Sequence, residues 1–410
     1  MMDTLLPLLL LLALAYAGYL VVGQDAKKPT HAKKDESTAK EKATLKEKPA
    51  AKRSSAKPQK PVEAKKHTHV EHELLAHVLK GHTGPITAAA FSPNGRFIAT
   101  ASTDRSVRLT LRESLGSKNP VFKTINLPYD YATAVSFSSD GKTLGVVTAD
   151  GQTISLFSKF KTKPETIGSF PVGHAVLSLL LNDIGDEWMT LLTVGKDDDT
   201  DIKCWNSSGS LLQTVNVNQI QNFHGVQSLD NRFIAVAAYT PEVKIFEILR
   251  SKTGTFDKLH KAMALQGHTS GVTDIAFDGS DQKPVNSIVT SSKDGTIRVW
   301  DINGVLAGKS PDTDKALVRY KLQEDPKCIK SFKAPNGYYA TVDITPNGQW
   351  IVMSQGTTLF FMEVASMQIR HEIPHAQDDA ISRVLVDATG SEVLVQGTSS
   401  RIIKVYRVPA

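Results

Sequence analysis

The sequence predicts an all-β chain: a seven-bladed β-propeller preceded by an N-terminal membrane helix and a disordered basic linker. Three observations carry this. Residues 292–301 read as a hairpin and strand ending in Trp300-Asp301, with Gly267-His268 about thirty residues upstream, a spacing that marks one four-stranded propeller blade. One blade cannot bury both of its faces, and degenerate copies do recur, at a period of roughly 40 to 60 residues. Asp-Gly and Asn-Gly pairs stand where strands must reverse, because tight turns need residues tolerant of positive φ.

In chain order, blade 1 carries Gly81-His82, then Ser92-Pro93-Asn94-Gly95 and Asp104 to Leu109. Blade 2 carries Ser138-Ser139-Asp140-Gly141 and Ile154-Ser155-Leu156-Phe157. Blade 3 opens with Gly173-His174 and closes with Ile202 to Asn206. Blade 4 has Ser228 to Phe233 and Val243 to Glu247, and blade 5 is the best copy. Blade 6 has Thr345-Pro346-Asn347-Gly348, and blade 7 has Pro374-His375, Asp387 to Gly390 and Ile403 to Tyr406. The flanking runs alternate apolar and polar, as strands do. The last repeat stops at its third strand, near Val408. Residues 74–79 are expected to supply the missing strand and close the ring, which removes open sheet edges.

These repeats resemble WD40 blades. The resemblance implies a buried hydrogen-bonded chain in blade 5 through His268, Thr290, Asp294 and Trp300. A buried network stabilises only when every member has a partner. Blade 1 offers His82, Thr100 and Asp104, with Thr110 where Trp is expected, and blade 7 offers His375, with Ser400 at the Asp position. A histidine, a hydroxyl and an aspartate also compose a hydrolase triad. The structural reading is preferred, because the set recurs by repeat position instead of converging once.

Before the propeller (residues 70–410) lie two segments of other character. Residues 1–23 hold the apolar run 5–22, long enough for a membrane helix. Ala15-Tyr16-Ala17 resembles a signal-peptide cleavage site, but no basic residue precedes the run, and it continues through Leu20-Val21-Val22. An uncleaved anchor is favoured. Residues 24–69 form a linker with 14 Lys and Arg against 6 Asp and Glu, too poor in large apolar residues for a core. As a random coil it would reach roughly 35–40 Å. The chain is +6, the linker +8 and Asp3 one negative, so residues 70–410 come to −1. The basic balance belongs to the linker, and the propeller gives no charge signal for nucleic acid. Lysines 27, 28, 33 and 34 after the apolar run are expected to stay cytosolic, with the propeller on the same side. The linker could also lie on anionic lipid, or act only as a spacer.

No Walker loop, dinucleotide fingerprint, Cys-x-x-Cys or His-Glu-x-x-His occurs. No enzyme activity, cofactor or metal is expected. His67, His69, His72 and His77 cluster on a junction without fixed geometry. The run Asp197-Asp198-Asp199-Thr200-Asp201 could hold Ca²⁺, but reads better as a solvated hairpin loop or a contact for a basic partner. Cys204 and Cys328 are too few for a disulfide framework. Asn206-Ser207-Ser208 fits the glycosylation pattern, usable only if the propeller is lumenal.

Three stretches are more particular than the repeat pattern: residues 74–82, 216–222 and 239–247. On these the chain resembles the transducin beta-like protein 2 family of WD40 proteins at the endoplasmic reticulum membrane. That resemblance implies a scaffold without catalysis, linked to the stress-activated kinase of that membrane and to translational control. Three rivals remain: an RNA- or ribosome-associated adaptor acting through the basic linker, a membrane-bound GTPase exchange factor using residues 304–325, and a secreted or lumenal binding protein if the apolar run is cleaved.

Overall fold

The computed structural model describes residues 72–150, 152–160, 162–184, 188–279, 285–302 and 326–410. The expected anchor, the linker with His67 and His69, and the segment 304–325 lie outside the described residues. Among the described residues no helix is long and apolar enough to cross a membrane.

Among the described residues, 28 strands make seven four-stranded antiparallel sheets, the blades of a propeller. Blade 1 runs through β2 (Ile86–Phe91), β3 (Phe97–Ser102), β4 (Ser106–Leu111) and β5 (Phe122–Asn126). Five further blades repeat this meander, with first strands at β6 (Ala132–Phe137), β10 (Val176–Ile184), β14 (Asn222–Gln227), β18 (Val272–Phe277) and β22 (Thr341–Ile344). The last sheet joins the first and last strands of the ring. β26 (Ile381–Val386), β27 (Glu392–Gly397) and β28 (Ile403–Arg407) take β1 (Leu75–Leu79) as fourth strand, with His77 opposite Val405 and Leu79 opposite Ile403. First strands of neighbouring blades adjoin one another and wall a central channel.

Seven buried clusters fill the seven gaps between blades. The two-residue side-chain period of a strand explains how one blade serves two gaps. Ala99 and Ala101 of β3 face blade 2, packing with Val135 and Leu144. Ile98 between them faces blade 7, packing with Leu394 and Ile403. With both faces covered, second strands such as Phe97–Ser102 and Phe233–Ala238 are buried throughout. They read as runs of apolar and small residues instead of the expected alternation.

One turn recurs between first and second strands. Ser92 and Asn94, Ser138 and Asp140, Ser228 and Asp230, and Thr345 and Asn347 are joined by hydrogen bonds from the hydroxyl to Oδ1, at 2.9, 2.6, 2.5 and 2.6 Å. The next residue sits at positive φ: Gly95 at 71°, Gly141 at 66°, Gly348 at 72°. Blade 4 places Asn231 there at 60°, a residue type that tolerates the left-handed region.

Candidate functional site

The blade 5 residues form one continuous buried chain. His268 Nδ1 lies 3.0 Å from Asp294 Oδ2, and Nε2 lies 2.7 Å from Thr290 Oγ1. Trp300 Nε1–H donates to the same hydroxyl at 2.9 Å. A carboxylate only accepts, so Nδ1 carries the proton, Nε2 accepts from Thr290, and Thr290 accepts from the indole. Burial pulls the His268 imidazole below its usual range despite Asp294 beside it. Burial also opposes the Asp294 charge, but Thr296, Thr269 and His268 hold its carboxyl far below the ordinary carboxylate range.

Blade 1 repeats the histidine part. His82 meets Asp104 and Thr100, both at 2.9 Å, and Asp104 is held at about 2, with burial opposed by bonds from Ser106, Thr83 and His82. Thr110 is buried in place of the indole. In both blades the hydroxyl is out of reach of a substrate: Thr290 is 0% and Thr100 3% exposed. The arrangement braces a blade and offers no nucleophile.

Blades 3 and 7 solve the same problem differently. In blades 1 and 5 the histidine stands four residues before the first strand. In blade 3 His174 stands two before β10. It stacks on Trp205 at a ring distance of 6.2 Å, and its Nε2 has no partner, while the indole donates to Thr193 at 3.1 Å. In blade 7 the fourth residue before β26 is Gln377, not His375. Gln377 is fully buried and donates to the carbonyls of Val395 and Ile402, both at 3.2 Å. His375 belongs to the loop before it, at φ 55°.

A second polar system lines the channel. One register position on the first strands is set by its partner in the second strand. It holds Ala88 and Ala134 in blades 1 and 2, and Ser178 in blade 3. It then holds His224, Asp274, Thr341 and Arg383 in blades 4 to 7. These four are linked. His224 Nδ1 lies 2.5 Å from Asp274 Oδ1, Thr341 donates to Asp274 Oδ2 at 2.6 Å, and Arg383 Nη1 donates to His224 Nε2 across the channel. The position also ties three pairs of adjacent blades together through backbone N–H groups. Gly225 donates to Ser178 at 3.1 Å, Val342 to Asp274 at 3.0 Å, and Val384 to Thr341 at 3.3 Å.

Burial opposes the Asp274 charge, but His224, Arg383 and Thr341 hold its carboxyl at about 2. Burial, with Arg383, lowers His224 against the pull of Asp274. The pair resembles the imidazole–carboxylate half of a triad. Its Nε2, however, accepts from Arg383 and is not available as a base. One layer along, Asp343 accepts from Val386 at 2.7 Å and Ile344 at 2.8 Å, yet desolvation pushes it up to about 7.

Above the linked residues opens a cavity of about 220 Å³, bordered by Phe223, Lys293, Tyr338 and Arg383. Sequence reasoning missed this system, because four blades contribute one residue each. The only trace in the sequence is one titratable residue, His224, Asp274 or Arg383, inside each of three otherwise mostly apolar or small first strands.

Among the described residues no group of three or more His, Cys, Asp or Glu could hold a metal ion. In the acidic run, Asp199 pairs with Lys203 at 2.6 Å. Cys204 is buried, its thiol pushed up to about 12 by desolvation, and Cys328 is exposed; both are free. Asn206 ends a strand, and its Oδ1 accepts from Ser208 and Ser210, with Ser207 and Ser208 exposed.

Comparison with known proteins accords with this architecture. The WD domain, G-beta repeat family (WD40) matches residues 74–110 and 259–301. Transducin beta-like protein 2 of Mus musculus is 29% identical over 329 residues, spanning 78% of this chain and 69% of its own length. The Homo sapiens protein of that name is 29% identical over 330 residues, with the same coverage of 78% and 69%. The target of rapamycin complex subunit wat1 of Schizosaccharomyces pombe is 26% identical over 223 residues, 53% of this chain and 60% of its own. The chain is a seven-bladed β-propeller with two matched WD40 repeats, similar over most of its length to transducin beta-like protein 2.

Proposed function

We propose that the chain is a non-catalytic scaffold, tethered to the endoplasmic reticulum membrane, that assembles proteins there in stress signalling and translational control. One observation carries the scaffold reading. The histidine–carboxylate–hydroxyl sets of blades 1 and 5 are buried and saturated, so the ring offers partners its loops and channel mouths instead of a reaction centre. Similarity to transducin beta-like protein 2 supports the same reading. The membrane and its stress-activated kinase come from the resemblance, together with the apolar run 5–22 and the lysines after it. A propeller on a 46-residue linker would meet membrane-bound partners at raised effective concentration.

The test is crosslinking of the full chain in cell membranes, followed by blotting for that kinase. The reading expects a crosslinked pair that survives RNase and 0.5 M salt, a condition set by ~10 Å screening at 0.1 M, and that is lost when residues 1–23 are deleted. No pair at either salt concentration would contradict it. A pair abolished by RNase, with binding that falls steeply with salt, would favour the RNA adaptor, since phosphate contacts release counterions. Accelerated nucleotide release from a membrane GTPase would favour the exchange factor.

A further inference from the structure

The polar sector of the channel has no role in bracing blades 1 and 5, and its charges are unevenly matched. Asp274 is saturated from inside: Oδ1 takes His224 and the Ile275 N–H, and Oδ2 takes Thr341 and the Val342 N–H. Arg383 gives one N–H to His224, and no carboxylate lies within ion-pair distance of it among the described residues. A guanidinium has five N–H donors, so most of its capacity remains. Lys293 is exposed and pairs with no carboxylate among the described residues. Its Nζ rests 4.6 Å above the Phe223 ring and 5.8 Å from the Tyr239 ring. Two cations therefore border a cup whose floor is crossed by the His224–Arg383 contact between blades 4 and 7. Tyr338 borders the cup and is 40% exposed, and Tyr239, beside Lys293, is 54% exposed.

We infer that this mouth is a docking site for an acidic segment of a partner protein, whose Asp or Glu carboxylate enters the cup between Lys293 and Arg383 while neighbouring apolar residues lie on Tyr239 and Tyr338. Charge complementarity selects the occupant. Among the residues that line the cup, Lys293 and Arg383 against Asp274 leave one positive charge, which suits a monoanionic carboxylate better than a dianionic phosphate. The chain's own linker, at +8, is repelled by the same charge. A cavity of about 220 Å³ takes one side chain and not a folded domain. Exposed aromatics beside buried polar anchors are the composition of an interaction hot spot.

This rests on the scaffold reading and names the chemistry of its partner. The test is fluorescence anisotropy of the full chain in detergent micelles with labelled peptides of leucine and alanine. One central residue varies: Glu, Gln, Lys or phosphoserine. The site predicts at least tenfold tighter binding of the Glu peptide than of the Gln peptide, and none of the Lys peptide. Lys293→Glu lies on the surface and is expected to fold normally. It should weaken the Glu peptide at least tenfold, and Arg383→Gln should do the same. If Arg383→Gln unfolds the ring, as circular dichroism would reveal, Lys293→Glu alone decides. Equal binding of Glu and Gln peptides, tightest binding of phosphoserine, or indifference to Lys293→Glu overturns the proposal. Failure here with the kinase crosslink intact removes the pocket and leaves the scaffold; loss of the crosslink removes the scaffold itself.

Discussion

Replacing Arg112 by alanine removes a charged bridge across the seam where the ring closes. Arg112 belongs to blade 1, and its Nη2 reaches Asp387 Oδ2 at 3.0 Å and Glu392 Oε2 at 2.6 Å, both in blade 7. The guanidinium also lies 5.0 Å from the centre of the Phe91 ring. The side chains of Arg112, Asp387 and Glu392 are 14%, 1% and 19% exposed, which sets this group apart from a surface pair. Stripping one partner from a buried pair costs about 3–5 kcal/mol. Asp387 keeps other donors, Thr389 at 2.6 Å and the N–H groups of Ser391 and Glu392, so the low end applies. Loss of the Phe91 contact adds about 0.5–1 kcal/mol. The expected loss is about 3–4 kcal/mol in all. Urea unfolding of Arg112→Ala, Asp387→Asn and the double variant measures it, with a coupling of at least ~1 kcal/mol expected between neighbours in one network. A coupling indistinguishable from zero, or an Arg112→Ala cost below ~0.5 kcal/mol as for an ordinary surface substitution, would refute the seam argument.

Other consequences are as direct. Thr290→Val leaves both His268 Nε2 and the Trp300 indole without their partner, and should cost about 2–4 kcal/mol by thermal or urea unfolding. By contrast His174→Leu removes an imidazole whose Nε2 is already unpartnered and whose Nδ1 meets only the Val172 carbonyl at 3.0 Å, and should cost about 1–2 kcal/mol, less than Thr290→Val. Gly225→Ala would place a Cβ 2.4 Å from Val194 Cγ2 and should destabilise by about 1–3 kcal/mol through overpacking. Stability should also depend on pH through the channel. Asp343 is raised from 3.8 to about 7, so the folded state binds its proton more tightly, and stability should fall as pH rises from about 4 to 7. Asp274, at about 2, acts oppositely: its contribution is full above pH 3.8 and lost as pH falls toward 2. Denaturation midpoints across pH 2 to 8 check both signs, and Asp343→Asn should flatten the upper limb.

The repeat count and the closing strand were legible because each rests on local chemistry. Asn94-Gly95, Asp140-Gly141 and Asn347-Gly348 encode turns that need a left-handed residue, and the residues around Leu75 to Leu79 were the only strand-like stretch left to complete blade 7. The spacing between Gly267-His268 and Trp300-Asp301 marked the blade, and the blade 5 network followed from its resemblance to WD40 blades. Gln377 was not, because His375 lies two residues away and offers the expected ring, while only the register of β26 shows which side chain points inward. The channel set was hidden for a geometric reason. His224, Asp274, Thr341 and Arg383 stand far apart in sequence and meet only when the ring closes, and Arg383 touches His224 from three blades away. Sequence periodicity reports what lies on one strand face, not what faces it across an axis.

Protease protection of the propeller in intact microsomes tests the central claim most directly. The tethered scaffold predicts digestion of the propeller without detergent, an alkali-resistant N-terminal fragment in the membrane, and no glycan on Asn206. Protection until detergent is added, with a glycan on Asn206, would place the propeller in the lumen and contradict the account.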